Sequence, residues 1–327
     1  MPLAIQLKDY GGPEALQLVD VGLPALGQDE LRVRQTAIGV NFHDVYVRSG
    51  LYRTLALPGV PGIEAVGIVE AIGSNVTGIT LGDRIGYVAS SYGAYAAVRN
   101  LPASLAIRLP EDIPDAPAAA TLMKALTVCM LVNSAHPVKA GETILVHAAA
   151  GGIGQLLCSW ARHLGARVIG TTGDPKKVSV ALAAGAHEVI LYRQEDVVER
   201  VRALTGGVGV AATYDSVGED TFLHSLATLD FGGTLISFGQ SSGPISPFAP
   251  SLLATRSLRV VRPVIFHYLR NREQTTAIAS TTFTAFCNGA FRPIEPLVLP
   301  LEEAPEAHRI LEARQSPGGI VLVPATG

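Results

Sequence analysis

The stretch from about 121 to 265 constrains the chain most, because short apolar runs alternate there with segments long enough for helices. Ile144 to Val146, Val168 to Ile169, Val189 to Leu191, Val210 to Tyr214, Leu235 to Phe238 and Leu258 to Val261 are six candidate strands. Most are continuous apolar runs, as in strands covered on both faces, and the segments between them have room for right-handed crossover helices. An α/β fold built on a doubly wound parallel sheet is therefore expected. One helix is predicted from about Ile153, where Leu156, Leu157, Trp160, Ala161 and Leu164 fall on one face. Another is punctuated by Asp174 as its cap, Pro175 at its first position and Gly185 at its end.

Between the first strand and the first of these helices lies Ala149-Ala150-Gly151-Gly152-Ile153-Gly154. Gly151 and Gly152 let backbone approach a pyrophosphate, the helix amino end offers N–H groups and a favourable dipole, and Gly154 permits close helix–strand packing. Ala149 stands where the GxGxxG form has its first glycine, which predicts a slightly different turn. The strand, the helix and the later alternation favour a Rossmann-type dinucleotide site over a ligand-free connection.

The end of the second strand, Thr171-Thr172-Gly173, lacks the carboxylate that often accepts hydrogen bonds from the NAD ribose, and Lys176 and Lys177 follow. That combination favours NADPH. Asp174 is read as a helix cap rather than a ribose ligand, since Pro175 fits that geometry. Lys177, taken alone, reads better as a solvated helix charge.

Residues 1 to about 120 have another texture: Leu31, Val33 and Gln35 alternate with Arg32, Arg34 and Thr36, and many Gly and Pro turns follow. This part is expected to be mostly β. Residues 266–327, with a helix predicted at Ala304 to Ala313 and an apolar run at Ile320 to Val323, are short for an independent domain. They are expected to complete the first one, giving domains at 1–120, 121–265 and 266–327.

Hydrophobic residues at 48% and charged residues at 16% fit a globular protein, and a net charge of -3 argues against a broad nucleic-acid surface. Cys129, Cys158 and Cys287 lie too far apart for a disulfide framework or a paired-cysteine zinc site, and a reducing compartment is expected. The amino terminus meets Lys8 and Asp9 too early for a secretory core, and no uninterrupted apolar run is long enough for a bilayer. A cytoplasmic protein without membrane attachment is the expectation.

Several motifs occur in a telling order: Val40-Asn41-Phe42-His43-Asp44, Gly50-Leu51-Tyr52, Pro58-Gly59-Val60-Pro61-Gly62, Lys124-Ala125-Leu126-Thr127, the glycine turn, Tyr214-Asp215-Ser216-Val217-Gly218, Ser237-Phe238-Gly239, Arg262-Pro263, and Ala307-His308-Arg309-Ile310-Leu311-Glu312. With them the chain resembles, over essentially its full length, the zinc-free quinone oxidoreductases (zeta-crystallin-like) of the medium-chain dehydrogenase/reductase superfamily. The resemblance implies a mostly β GroES-like catalytic domain beside the Rossmann domain, and a quinone reductase that uses NADPH by metal-free hydride transfer. Zinc-dependent relatives have a cysteine ligand near Asn41 to Asp44 and a histidine where this chain has Ile63 in Gly62-Ile63-Glu64. Without zinc no Lewis acid lowers an alcohol's pKa, whereas a quinone or conjugated enone accepts hydride into its own π system.

Tyr46 and Tyr52 are the candidate wall and proton donors beside a flat acceptor, with Asn41 orienting cofactor or substrate; packing and a turn hydrogen bond are their structural alternatives. His43 is read as structural or exposed, although a local pair with Asp44 is available to it. Positions matching the family's cofactor contacts are Asn41, Lys124, Thr127, Gly152, Ile153, Gly173, Lys177, Tyr192, Ser216, Phe238, Gly239, Ser241, Ser242 and Arg314, and Gly151 joins them from the turn. Where many relatives have a lysine in the last turn motif, this chain has Gly318-Gly319. The last strand of the sheet, near Arg259, is an expected edge and a place for homodimer pairing, as the family commonly does. Reduction of an enone or 2-alkenal double bond is the enzymatic alternative, and a crystallin-like structural or RNA-binding role the alternative from another class. The acidic balance counts against RNA.

Overall fold

The structure, a computed structural model, describes residues 1–316 and 318–325. It divides into two compact units, one of Met1–Met123, Phe266–Ser280 and Pro293–Gly327, the other of Lys124–Ile265 and Thr281–Arg292.

The chain begins with β1 (Leu3–Leu7), β2 (Leu16–Asp20) and β3 (Glu30–Val40), then a short helix α1 (Phe42–Arg48) and four strands: β4 (Glu64–Ile72), β5 (Arg84–Val88), β6 (Val98–Pro102) and β7 (Ile107–Arg108). Helix α2 (Asp115–Met130) runs on into a π turn at Leu131–Ala135. Next come β8 (Thr143–Val146), α3 (Gly152–His163), β9 (Arg167–Thr172), α4 (Val178–Ala183), β10 (Glu188–Leu191) and α5 (Val197–Leu204). The chain continues through β11 (Val210–Asp215), α6 (Phe222–Thr228), β12 (Leu229–Ser237) and β13 (Arg259–Val261). It closes with α7 (Arg272–Cys287), β14 (Leu297–Pro300), α8 (Ala304–Glu312) and β15 (Ile320–Val323).

In the first unit β1 pairs with β2, and the main sheet runs β14-β15-β3-β4-β5-β7 with β6 also on β3. The period-two pattern of β3 explains its central place: Leu31, Val33, Gln35 and Ala37 all face inward. Gln35 is tolerated there because its amide is fully engaged: Nε2 donates to Ala94 O at 2.9 Å and to Ala96 O, and Oε1 accepts from Tyr87 Oη. Residues near the carboxyl terminus, Leu301, Ala304, Ala307, Ile320 and Leu322, belong to the same core as Leu31 and Ile38.

The second unit holds six parallel strands in the order β10-β9-β8-β11-β12-β13. Numbered from β8, this is the 3-2-1-4-5-6 order of the dinucleotide-binding fold, whose ligand crevice opens where the order reverses, at the carboxyl ends of β8 and β11. All six predicted strands are present. β12 begins at Leu229, before the predicted Leu235, and runs through Gly232, at φ 68°, and Gly233. β13 ends the strand order, as an edge should.

One division differs from expectation. Residues 281–292 go with the second unit rather than the first. There Phe291 packs on Trp160 with ring centroids 5.3 Å apart, and Ser159 Oγ donates to Ala290 O at 2.8 Å. Among the described residues, one helix, Asp115–Ala135, is long and apolar enough to cross a bilayer, but 83% of its most apolar window is buried in the protein. It is a core helix, and its apolar run is interrupted by Lys124.

Candidate functional site

The glycine turn of the second unit joins β8 to α3. The strained residue in it is Ala148, at φ 51°, rather than Ala149. The absence of glycine at 149 therefore costs nothing, since Ala149 needs no left-handed backbone. Ala149 N–H donates to Thr171 O at 3.0 Å, and Gly151 N–H to Ala148 O at 2.9 Å, which closes the turn. A Cβ on Gly154 would meet Ala148 O at 2.2 Å and Ala149 Cα at 2.8 Å, so only glycine lets α3 lie this close to the turn. Gly151 caps α3 without any side-chain hydrogen bond. No capping side chain therefore meets the first-turn N–H groups of α3, an arrangement that suits an anion such as a pyrophosphate.

Beneath the turn is a polar network that the sequence did not single out. His147, buried at the end of β8, has Nδ1 3.1 Å from Thr171 Oγ1 and Nε2 3.0 Å from Ser225 Oγ. Ser225 and Thr221 each donate to Asp215 Oδ2 at 2.7 Å, while Val217 and Gly218 N–H donate to Oδ1 at 2.7 and 3.1 Å. Because the carboxylate only accepts, Ser225 accepts from His147 Nε2–H, and His147 Nδ1 accepts from Thr171. Burial lowers the His147 pKa, in keeping with a neutral ring. Ser225 points its proton at the carboxylate and not at the imidazole, so these residues are no nucleophilic triad. They join the ends of β8, β9 and β11 with α6, and Thr171 faces this network in the interior rather than a ribose.

Most of the other predicted cofactor positions of the second unit lie in the segments that follow β9, β10, β11 and β12. Phe238 N–H donates to Asp215 O at 2.9 Å, and Ser241 N–H to Ser216 O at 3.2 Å. Gly239 is pressed against Ser216, whose carbonyl oxygen would lie 2.6 Å from an added Cβ. Ser242 uses its hydroxyl to stitch the loop, donating to Val217 O at 2.9 Å and accepting from Asp220 N–H at 3.1 Å. Gly173 lies under Tyr192, whose hydroxyl would be 2.4 Å from a Cβ there, and Tyr192 itself is exposed. Asp174 caps as expected: its Oδ1 accepts from Lys176 N–H at 2.9 Å. Lys177 ends the turn that Pro175 opens, with its N–H on Asp174 O at 2.9 Å. Lys124 and Thr127 are buried along α2.

In the first unit Asn41 precedes α1. Its Nδ2 donates to Glu64 Oε1 at 2.6 Å, and its backbone N–H donates to Asp44 Oδ2 at 2.8 Å. Glu64, fully buried, also accepts from Met123 N–H through Oε2 at 2.8 Å, and Gly39 is required beside it because a Cβ would meet Glu64 Oε1 at 2.3 Å. Tyr46 and Tyr52 meet edge to face with centroids 5.1 Å apart, and Tyr52 meets His43 at 5.5 Å. Phe42, Tyr92 and Phe266 extend this aromatic cluster. His43 does not pair with Asp44. Its Nε2 lies 3.2 Å from Tyr92 Oη, and burial lowers its pKa to about 4. Asp44 instead caps α1 and accepts from Tyr95 Oη at 3.2 Å. Arg314 follows α8 at φ 58°, with its N–H on Leu311 O at 3.0 Å.

A second network holds α1 to α8. Arg48 donates to both carboxylate oxygens of Glu312 at 2.8 Å and lies 3.3 Å from His308 Nδ1, whose Nε2 is 3.0 Å from Tyr95 Oη. Burial, with the Arg48 charge adding to it, lowers the His308 pKa to about 3. The unfolded chain binds a proton near pH 6.5 that folded His308 refuses, so its contribution to stability is present above 6.5 and is lost as pH falls toward 3. The free energy of unfolding is expected to fall by up to about 1.4 kcal/mol per pH unit in that window from this group. Urea titrations at pH 7, 6 and 5 check this, and His308→Gln should flatten the slope; an equally steep variant would contradict the assignment.

The domain models that match the chain are an alcohol dehydrogenase GroES-like domain over residues 27–111 and a zinc-binding dehydrogenase domain over residues 152–281. Ile63 is buried, and among the described residues no group of three or more His, Cys, Asp or Glu converges to hold a metal ion. The chain is 42% identical to quinone oxidoreductase 1 of Escherichia coli, covering 99% of this chain and all of that one. It is 38% identical to a 2-haloacrylate reductase of a Burkholderia species, covering 99% of each. The crystal structure of Escherichia coli quinone oxidoreductase complexed with NADPH superposes with a TM-score of 0.95 at 42% identity, over 98% of this chain and all of that one. Full-length identity at this level, the strand order of the second unit and the GroES-like match of the first place the chain in the quinone oxidoreductase family of the medium-chain dehydrogenase/reductase superfamily.

Proposed function

We propose that the protein is an NADPH-dependent quinone reductase that works by metal-free hydride transfer. The observation that carries the reading is the amino end of α3, which Gly151 caps with no side-chain hydrogen bond, at the reversal point of the parallel sheet and beside a β9 end followed by Asp174, a carboxylate engaged in capping. The NADPH complex of the Escherichia coli relative supports it. Bound NADPH supplies a hydride, and the quinone delocalises the charge it receives.

The chain's own residues bind, orient and shield. Gly152 and Ile153 N–H groups hold the pyrophosphate, with Gly151 and Gly173 leaving it room. Lys177 pairs with the 2′-phosphate, and Tyr192 covers the adenosine end. Lys124, Thr127, Ser216, Phe238, Gly239, Ser241, Ser242 and Arg314 complete the cofactor contacts. Asn41 is oriented by Glu64, and Tyr46 and Tyr52 form the apolar wall for the flat acceptor. Self-association along β13 would give a species of twice the chain mass by sedimentation, and a cytoplasmic location suits three cysteines that form no disulfide among the described residues.

Steady-state assays with a panel of quinones test the reading, and no NADPH oxidation with any of them would overturn it. Lys177→Ala is expected to weaken NADPH roughly tenfold relative to NADH, the loss of one charge-assisted contact. An unchanged NADPH to NADH ratio, measured by cofactor fluorescence, would remove Lys177 from the phosphate site. The 2-haloacrylate reductase relative favours a second reading, reduction of an activated carbon–carbon double bond with the same cofactor. Including enones and 2-haloacrylate in the panel separates the two.

A further inference from the structure

The aromatic cluster of the first unit contains a polar chain that a wall for a flat acceptor does not need. Tyr92 Oη hydrogen-bonds both His43 Nε2, at 3.2 Å, and Thr54 Oγ1. Thr54 is exposed, Tyr92 is buried and His43 is half-buried beside Tyr52 and Phe266, so three proton-exchanging groups lead from solvent into the cluster. Thr54 and Tyr52 share one loop, and Tyr52 packs in turn on Tyr46. Tyr92 is held at φ 56°, a left-handed conformation unfavourable for a bulky residue, and so is built in against a local preference. Among the described residues Tyr92 is the one hydrogen-bond partner of the His43 ring, which leaves Nδ1 to an external group.

We propose that Thr54, Tyr92 and His43 form a relay that carries the proton needed to complete quinone reduction from solvent to the acceptor. The proposal rests on the reading of Tyr46 and Tyr52 as the acceptor's wall. Hydride transfer gives the quinone two electrons and one hydrogen and leaves a hydroquinone monoanion, which needs one proton. Thr54 takes a proton from hydronium while passing its own to Tyr92 Oη. Tyr92 passes its proton to His43 Nε2, and His43 releases the Nδ1 proton to the anionic oxygen. The products are hydroquinone and water, and the imidazole is neutral before and after, having exchanged one tautomer for the other. Its lowered pKa agrees with a neutral carrier.

Tyr92→Phe and Thr54→Val each remove one hydroxyl while keeping shape. With a benzoquinone acceptor, kcat is expected to fall roughly tenfold or more in both, as for loss of a proton-transfer group. The solvent deuterium isotope effect on kcat should rise, imidazole added to the buffer should restore turnover, and the NADPH dissociation constant should stay at the wild-type value. Both variants turning over at the wild-type rate with the wild-type isotope effect would overturn the relay. So would a loss of rate that imidazole does not restore, which would assign the hydroxyls to packing. Failure of the wild-type chain itself to oxidise NADPH with any quinone would overturn the function and is read separately from either result.

Discussion

Gly154→Ala is expected to weaken NADPH binding roughly tenfold or more and to destabilise the fold by about 1–3 kcal/mol, the usual cost of overpacking a closed interior. The added Cβ would sit 2.2 Å from Ala148 O and 2.8 Å from Ala149 Cα, both backbone atoms that no rotamer change can move aside. Relief must come from shifting either α3 or the turn, and the amino end of α3 is the group that receives the pyrophosphate. Ala148 is already at φ 51°, so the turn has little conformational latitude left. Gly22→Ala is the control, since nothing lies within 4 Å of its Cβ and its backbone is unstrained. Fluorescence titration with NADPH and urea unfolding read the two effects. Wild-type affinity in Gly154→Ala would mean that the close approach of helix and turn has no part in holding the cofactor.

Arg48→Ala should destabilise the first unit by about 3 kcal/mol by urea unfolding, the range for removing one member of a buried ion pair. Arg48 is 3% exposed and makes two 2.8 Å bonds to Glu312. It also donates to Gly11 O at 3.1 Å and lies beside His308. Its loss leaves a cavity and an unmet carbonyl at Gly11. The Glu312 side chain is 37% exposed and recovers some solvation, which keeps the cost near the lower end of the range. Because α1 carries Tyr46 and is capped at Asn41, turnover should drop even in the folded fraction. The Arg34–Glu70 bridge is as short, at 2.7 Å, but its side chains are 48% and 40% exposed, so Arg34→Ala should change stability by less than about 0.5 kcal/mol. Equal effects of the two substitutions would contradict the burial argument.

Much of the fold is legible in local patterns. Strands covered on both faces announce themselves as apolar runs, and Asp174, Pro175 and Gly185 mark a helix from its cap to its end. The strand–turn–helix geometry around the glycines was legible, although the residue that bears its strain, Ala148, carries no sign of it in the sequence. Tyr46 and Tyr52, named together as the wall beside a flat acceptor, do meet. The polar networks were not legible. His147 reaches Ser225 across 78 positions, His43 reaches Tyr92 across 49, and Arg48 reaches Glu312 across 264. Pairs so far apart leave no periodicity, and each member has an ordinary local explanation, as His43 had in its neighbour Asp44.

The sequence by itself determined the class of the molecule: a parallel α/β unit with a glycine turn between its first strand and helix, a mostly β unit completed from the carboxyl terminus, and isoleucine at position 63. Those properties follow from the period of apolar residues and from glycine and proline chemistry, which act within a few residues. Tertiary structure alone decided which buried polar groups share protons, that Thr171 turns to His147, that His43 turns to Tyr92, and that residues 281–292 go with the second unit. The reason is physical. A buried hydrogen bond is selected by the cost of leaving donors and acceptors unmet in the folded core, and that cost exists only once distant segments have been packed together.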